Sequence, residues 1–592
     1  MGQNPTGMSS SAYDKAFALF EKGQVKETLI EIDSALAKEP QNPALHNLRG
    51  LAAARLGHSD DAAKSFDKVI ELLPRAALGY NNLATLHSQL EHYAEAASLF
   101  SKALAREPNN FTALEGLGAT LAVLHKYQDA APYLAKAWST HPEDFRAGYE
   151  WARTLHELHR PAEAQKVLRQ LTPPQDASLT AQFYKLSGAV AEQSGDREGA
   201  SRFYARAYEL APSAFETYLA LVRTSIGAGN SAQSLPPAPA SLSAEQHFAL
   251  GLLFASAGDY AQAVPEFEET LRMEPTSYST SYNLALAYKQ TGKAQLAIEV
   301  IERAIARRAT GELYNFLGSL EEEAGHYVDA IHHYQRAVEV EPANEQFYFD
   351  LGAEYLIHFT FEPALEVFQL GTQKFPRSAR QHIGSGLAYF SLRRYREAAE
   401  SFLSALEIDP SSPTTFKAWN ALPPFVGLAE WETIRPRLET LAKLHPQNAQ
   451  VLYCYAAALF RHSISSHSQS ALTLVQSLLE RAIRLKPGFA EAQLELATLY
   501  QIRGQFEKAV ANFLEAIRLN PDSDQAHYRL AQTYRNLNQL DAAERELVRY
   551  VELSRNRRDK LAQTRSTITQ FVLAQPPSSA VSPGPAEGAP HR

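Results

Sequence analysis

Cysteine is almost absent from this sequence, since Cys454 is the single one among 592 residues. An internal disulfide needs two thiols and a cysteine-based metal site needs several, so the sequence excludes both. So little cysteine fits a reducing compartment, although an exported protein poor in cysteine would have the same composition.

Long apolar runs and a strong charge imbalance are absent too. No stretch reaches the roughly 18 apolar residues that a membrane-spanning helix needs. Residues 1–11 also lack the basic and apolar segments of a secretory signal. We therefore expect a cytoplasmic protein without membrane insertion, unless the true start lies upstream. The net charge of −9 is mild for this length and predicts no nucleic-acid partner.

What the sequence does contain is a helical pattern, which is clearest between Glu312 and Pro342. Gly325 suits the left-handed residue that ends a helix, and Pro342 cannot continue one. On either side of Gly325, apolar or small residues recur at the three- and four-residue spacing of one helix face, at Tyr314, Leu317, Gly318, Ala330, Tyr334 and Ala337. The pattern predicts two amphipathic helices joined by a tight turn, and the small residues Gly318 and Ala330 are expected to let the two backbones approach closely.

The same pattern repeats along the chain with a period of 34 residues. Prolines close its units in three groups: Pro40, Pro74, Pro108 and Pro142; Pro342, Pro376 and Pro410; Pro487 and Pro521. This helix-turn-helix period resembles the tetratricopeptide repeat family over nearly the whole chain. The resemblance implies an all-α fold, a right-handed α-solenoid or superhelix of about fourteen to fifteen tandem helix-turn-helix repeats.

Breaks in the period predict how the chain is divided. Glycines and prolines between the two blocks of repeats indicate a linker, which is either a hinge or a harmless loop insertion. The final helix is expected to cap the last apolar face, and the tail is too rich in Pro, Ser, Gly and Ala to fold. The predicted segments are a flexible leader (1–8), a first block (9–226), the linker (227–243), a second block (244–556) with a degenerate unit (411–446), a capping helix (557–574) and a disordered tail (575–592).

Few residues suggest catalysis or metal binding. His156 and His159 are three residues apart, whereas the histidines of a zinc-protease helix are four apart. Gly384-Ser385-Gly386 lacks the frame of a nucleophile elbow. Because almost every residue is assigned to a repeat, no room remains for a catalytic domain. The sequence therefore predicts a protein that is not an enzyme and needs no metal or other cofactor.

The resemblance also predicts which residues face a partner. In tetratricopeptide proteins, positions 2, 5, 9 and 12 of each first helix line a concave groove, with the closing proline counted as position 32. In the second block these positions are unusually apolar: Phe248, Leu252, Tyr282, Leu286, Phe349, Leu356, Ile383, Leu387 and Phe390. An exposed apolar patch of this size marks an interaction site. The alternative is that these side chains pack against neighbouring first helices.

The first block carries basic residues at the same positions. Arg146, Arg153 and Lys185 could meet an acidic segment through charge-assisted hydrogen bonds, or they are simply solvated. Together these features predict a scaffold or adaptor that binds protein or peptide partners in its groove. Two alternatives stay open: a substrate-targeting subunit for an enzyme on a separate chain, such as a glycosyltransferase, and a cell-envelope or secretion assembly factor.

Overall fold

The computed structural model describes residues 11–230, 234–422, 425–466 and 468–567. Across these ranges it contains 31 α-helices and no β-strand. Successive helices pair as hairpins, so the prediction of an all-α fold of tandem helix-turn-helix repeats is confirmed. The chain forms two compact units, Met1–Glu274 and Pro275–Arg592.

The first unit contains fifteen helices in its described residues. In chain order they are α1 (Ser11–Glu21), α2 (Val25–Leu36), α3 (Pro43–Arg55), α4 (Ser59–Leu72), α5 (Leu78–Gln89), α6 (Tyr93–Arg106), α7 (Phe111–Val123), α8 (Tyr127–Thr140), α9 (Phe145–Glu157), α10 (Pro161–Leu168), α11 (Ala177–Gln193), α12 (Arg197–Leu210), α13 (Phe215–Gly227), α14 (Ala244–Ser256) and α15 (Tyr260–Met273).

The second unit contains sixteen helices in its described residues. They are α16 (Tyr278–Gln290), α17 (Ala294–Arg307), α18 (Gly311–Ala324), α19 (Tyr327–Val340), α20 (Glu345–Ile357), α21 (Phe361–Lys374), α22 (Ala379–Ser391), α23 (Tyr395–Ile408), α24 (Pro413–Ala421), α25 (Leu428–Leu444), α26 (Ala449–Ser466), α27 (Gln469–Leu485), α28 (Ala490–Ile502), α29 (Phe506–Leu519), α30 (Asp524–Asn536) and α31 (Leu540–Thr567).

Local sequence signals account for the ends of these helices. Asn110 Oδ1 accepts a hydrogen bond from the backbone N–H of Ala113 at 3.0 Å, and Asp144 Oδ1 accepts one from Ala147 at 2.8 Å. Such N-caps satisfy donors that the first helical turn leaves free, and each is worth about 1 kcal/mol. Gly325 ends α18 with a φ of 81°, which confirms the predicted turn.

In several hairpins, a glycine of one helix lies against a large side chain of the other. A Cβ on Gly318 would lie 2.8 Å from ring atoms of Tyr334, and Ala330 on the same second helix is fully buried. The backbones can approach closely only because these side chains are small. This packing confirms the role predicted for Gly318 and Ala330.

The predicted linker, 227–243, lies inside the first unit. The described part of it between 234 and 243 contains no α-helix, the Tyr208 hydroxyl donates to the Pro237 carbonyl at 2.9 Å, and Leu242 is buried. The boundary between the two compact units falls between Glu274 and Pro275 in the chain. A division of the repeats into blocks at 227–243 remains a prediction.

The second unit departs from the regular repeat in two places. The degenerate unit at 411–446 forms a shortened α24 and a lengthened α25. Residues 557–567, predicted as part of a separate capping helix, continue α31 without a break. Residues 568–574, the tail at 575–592 and the leader at 1–8 lie outside the described residues.

Candidate functional site

The first helices α16, α18, α20 and α22 of the second unit contact one another through side chains one repeat apart. We call these four helices the first-helix wall. The rings of Tyr282 and Phe316 lie 4.8 Å apart between α16 and α18. Asn315 Nδ2 donates to Asp350 Oδ2 at 3.0 Å between α18 and α20. Because each contact joins neighbouring repeats, the wall is one continuous surface within the second unit.

Six of the predicted apolar residues are partly exposed on this wall. Leu387 is 41% exposed, and the other five are partly buried: Tyr282, Leu286, Phe349, Leu356 and Phe390. Each partly buried ring contacts another aromatic ring. The Phe349 ring meets Phe368 at 6.0 Å between centroids, and Phe390 meets Phe425 at 5.3 Å. These side chains therefore pack against neighbouring rings and also meet solvent, and their role in binding a partner remains a prediction.

Three other predicted residues do not join this surface. Ile383 is only 7% exposed and belongs to the buried cluster of Phe402 and Phe416, so its assignment as a surface anchor is corrected. Phe248 and Leu252 lie on α14, in the first unit. There Phe248 packs on Phe267, with centroids 5.8 Å apart, and Leu252 is exposed.

Polar side chains lie between the apolar ones on the wall. Asp350 accepts hydrogen bonds from Asn315 and, at 2.5 Å, from Gln346 Nε2. Arg380 on α22 donates to the Gln346 side-chain oxygen, and its guanidinium lies 5.2 Å from the Phe349 ring centroid. Burial raises the pKa of Asp350 above its usual range, while the two amide donors oppose that shift. The network ties α18, α20 and α22 together.

Sequence reasoning missed this polar network. The signal was present, because Gln346 and Arg380 both occupy position 2 of a first helix, and Asn315 occupies position 5 of the preceding repeat. Taken singly, Asn, Gln and Arg are residue types that are usual at solvent-exposed positions. Only the distance between neighbouring first helices shows that they reach one another.

The predicted basic residues of the first unit are largely neutralised. Arg146 Nε lies 2.8 Å from Glu115 Oε1, and Arg153 lies 2.5 Å from Glu150. Burial raises the pKa of both carboxyl groups, and the arginines oppose the shift. Arg146 and Arg153 therefore pair with carboxylates of this chain, and their binding to an acidic partner segment remains a prediction. Lys185 is exposed on α11.

The candidate catalytic and metal-ligating residues have structural contacts. His156 Nδ1 lies 3.1 Å from Gln193 Oε1, and His159 Nδ1 lies 2.7 Å from Gln193 Nε2. Burial raises the pKa of the Cys454 thiol. Among the residues that the structure describes, no three or more His, Cys, Asp or Glu side chains are grouped to hold a metal ion. Nor does any described helix combine the length and apolar character needed to cross a membrane.

Comparison with protein-family models identifies the repeats. The models that match include Psidin, N-terminal TPR repeats region (14–144), three described as tetratricopeptide repeat (124–186; 248–312 and 360–413; 524–557) and one described as TPR repeat (499–538). The chain belongs to the tetratricopeptide repeat family. In general terms, this family supports the role of a protein-interaction scaffold.

Relatives of this tetratricopeptide repeat protein match over part of their length. The chain is 34% identical over 103 residues to the small glutamine-rich tetratricopeptide repeat-containing protein 2 of Mycosarcoma maydis, covering 17% of this chain and 29% of that protein. It is 31% identical over 101 residues to the photosystem I assembly protein Ycf3 of Prochlorococcus marinus, covering 15% of this chain and 58% of the relative. The chain thus spans less than two thirds of either relative.

Solved structures of similar fold share little sequence with the chain. The C-terminal part of a TPR repeat-containing protein from Cytophaga hutchinsonii is 20% identical, with 48% of this chain and 99% of that chain covered and a TM-score of 0.34. The type IV pilus biogenesis factor PilW is 22% identical, with 35% and 94% covered and a TM-score of 0.30. At such scores the likeness carries no argument about partners.

Proposed function

We propose that this protein is a non-catalytic adaptor that holds a segment of a partner protein against the first-helix wall. The observation that carries the proposal is the row of partly exposed apolar side chains on α16, α20 and α22, of which Leu387 is the most open. Large apolar side chains that meet water next to one another mark an interaction surface.

Partial burial suits these residues to act as anchors. Phe349 and Phe390 are held by neighbouring rings, so a partner would bind to side chains whose rotamers are already restricted. Ordering a side chain on binding costs about 0.5–1.5 kcal/mol. A preordered anchor avoids most of that cost, and complete burial of a large apolar side chain contributes roughly 1.5–3 kcal/mol.

The polar network supports an extended or helical segment as the bound form. Asn315, Gln346 and Arg380 place hydrogen-bonding groups beside Phe349. The backbone of a bound segment has donors and acceptors of its own, and these lose water when its side chains reach the apolar anchors. Amide and guanidinium groups at the same surface can replace that water. The proposed partner is therefore a protein segment with several large apolar side chains.

Affinity capture from the native host tests this proposal. The parent chain is compared with a Phe349→Glu, Leu387→Glu variant and with a control, Leu370→Glu. Leu370 is 50% exposed on the second helix α21, so its replacement adds a charge away from the wall. We expect the double variant to lose a protein that the parent and the control both retain, with helical circular dichroism unchanged in all three. Equal capture by the double variant would contradict the proposal.

The same capture separates the two alternative roles. An enzyme that is retained by the parent and released by the double variant would favour a substrate-targeting subunit. A group of envelope or secretion components released in the same way would favour an assembly factor.

A further inference from the structure

The second helix α10 is unusually short, and a cavity lies beside it. It has 8 residues, whereas the second helices α8 and α12 on either side of it have 14 each. The chain leaves the helix at Leu168 and reaches Pro173 and Pro174 soon afterwards, and neither proline can continue a helix. The missing turns leave a cavity of about 600 Å³ between α10, α11 and α12.

The cavity has an apolar floor. It is formed by Leu168, Phe183 and Val190, each of which is at most 6% exposed. Phe203 forms one wall and is 36% exposed, with its ring stacked at 6.4 Å on that of Tyr184. The volume lies within the roughly 300–1,000 Å³ that is usual for ligand pockets. The cavity can therefore accommodate a large apolar side chain on this floor.

The rim of the cavity is positively charged. Arg169 at the end of α10 and Arg202 on α12 are both exposed and line the opening. Within the part of the chain that the structure describes, neither arginine has an ion-pair partner. One carboxylate, Asp196, also lines the cavity and accepts a hydrogen bond from Gly199 N at 2.8 Å. With two arginines and one carboxylate, the lining keeps a net positive charge.

We propose that this cavity is a second docking site, specific for an acidic segment of a partner protein. The segment inserts one large apolar side chain between α10 and α12 and places carboxylates beside Arg169 and Arg202. Charge complementarity selects this occupant, because two exposed guanidinium groups over an apolar floor favour an anchor flanked by Asp or Glu. The site is formed by α10, α11 and α12 of the first unit and shares no residue with the first-helix wall.

Labelled peptides test the proposal by fluorescence anisotropy on the full chain. The probe is Asp-Glu-Asp-Phe-Asp-Glu-Asp with a fluorescein label, and a second peptide has Ala in place of Phe. At about 50 mM salt, where screening is weak, we expect the Phe peptide to bind at least about tenfold more tightly than the Ala peptide. An Arg169→Glu, Arg202→Glu variant should weaken its binding by a further factor of about ten or more.

A matched charge reversal serves as the control. Arg206 is exposed on α12 and pairs with Glu209, so Arg206→Glu changes the same helix without changing the rim. Because screening is weak at this salt, we expect this variant to lose some affinity for the Phe peptide but clearly less than the rim variant. The Phe349→Glu, Leu387→Glu variant of the wall should bind the Phe peptide like the parent. Equal affinity of the rim variant and the Arg206→Glu control would overturn the proposal. So would equal affinity for the two peptides, or no binding by the parent.

Discussion

A Cβ atom on Gly386 would lie 2.4 Å from Cε1 of Phe402. The glycine is on the first helix α22 and the ring is on its partner α23. The two helices can therefore approach closely at this contact because residue 386 has no side chain. Gly352 and Phe368 have the same relationship in the preceding repeat, with Cζ at 2.6 Å. A glycine at the same repeat position therefore sets the close spacing of the two helices in both hairpins.

Replacement of Gly386 by alanine tests this packing. Alanine gains up to about 1 kcal/mol in helix propensity, but forcing a methyl group against a buried ring costs about 1–3 kcal/mol. We expect a net loss, seen as a lower urea midpoint of the helical circular dichroism signal. Gly488→Ala is the control, because a Cβ there meets nothing within 4 Å and should leave the midpoint nearly unchanged. A Gly386→Ala variant as stable as that control would contradict the account.

Glu354 should make the stability of the second unit depend on pH. It is 2% exposed, and its carboxylate lies 3.2 Å from Nε2 of His358. Burial, together with the charge of Glu322, raises the pKa of Glu354 to about 7. Between the unfolded pKa of about 4.3 and this value, the folded chain binds the proton and the unfolded chain does not. The free energy of unfolding therefore falls as the pH rises through this window, by at most about 1.4 kcal/mol per pH unit.

Glu354→Gln removes this titration. Relative to the variant, the parent should lose stability between about pH 5 and pH 8, as measured by urea midpoints at several pH values. Glu362→Gln, at an exposed position on the neighbouring α21, should follow the parent throughout. If the difference between the parent and Glu354→Gln stays constant over the range, Glu354 does not titrate there.

The parts of the fold that depend on local sequence were predictable. The turn at Gly325, the close contact at Gly318 and the repeat period itself follow from residue types at fixed spacing, because each is decided within one hairpin. The same frame correctly placed Phe349 and Leu387 at the surface of a first helix. These features need no information about which residues lie across a repeat boundary.

Features that depend on packing between repeats were not predictable. The ion pair between Arg146 and Glu115 joins two first helices, and the burial of Ile383 depends on Phe402 and Phe416 in following helices. The early prolines after α10 were visible in the sequence, but the cavity depends on the helices around it. In each case, the burial or pairing of a residue that the repeat frame places at the surface depends on side chains of other helices.

Photo-cross-linking at position 387 tests the central claim most directly. A benzophenone amino acid replaces Leu387 on the wall or, in a second chain, Leu370 on α21, and each chain is irradiated with the partner that affinity capture retains. The account predicts an efficient cross-link to the partner from position 387 and little from position 370. A cross-link that is equally strong at both positions, or present only at 370, would contradict the assignment of the first-helix wall as the binding surface.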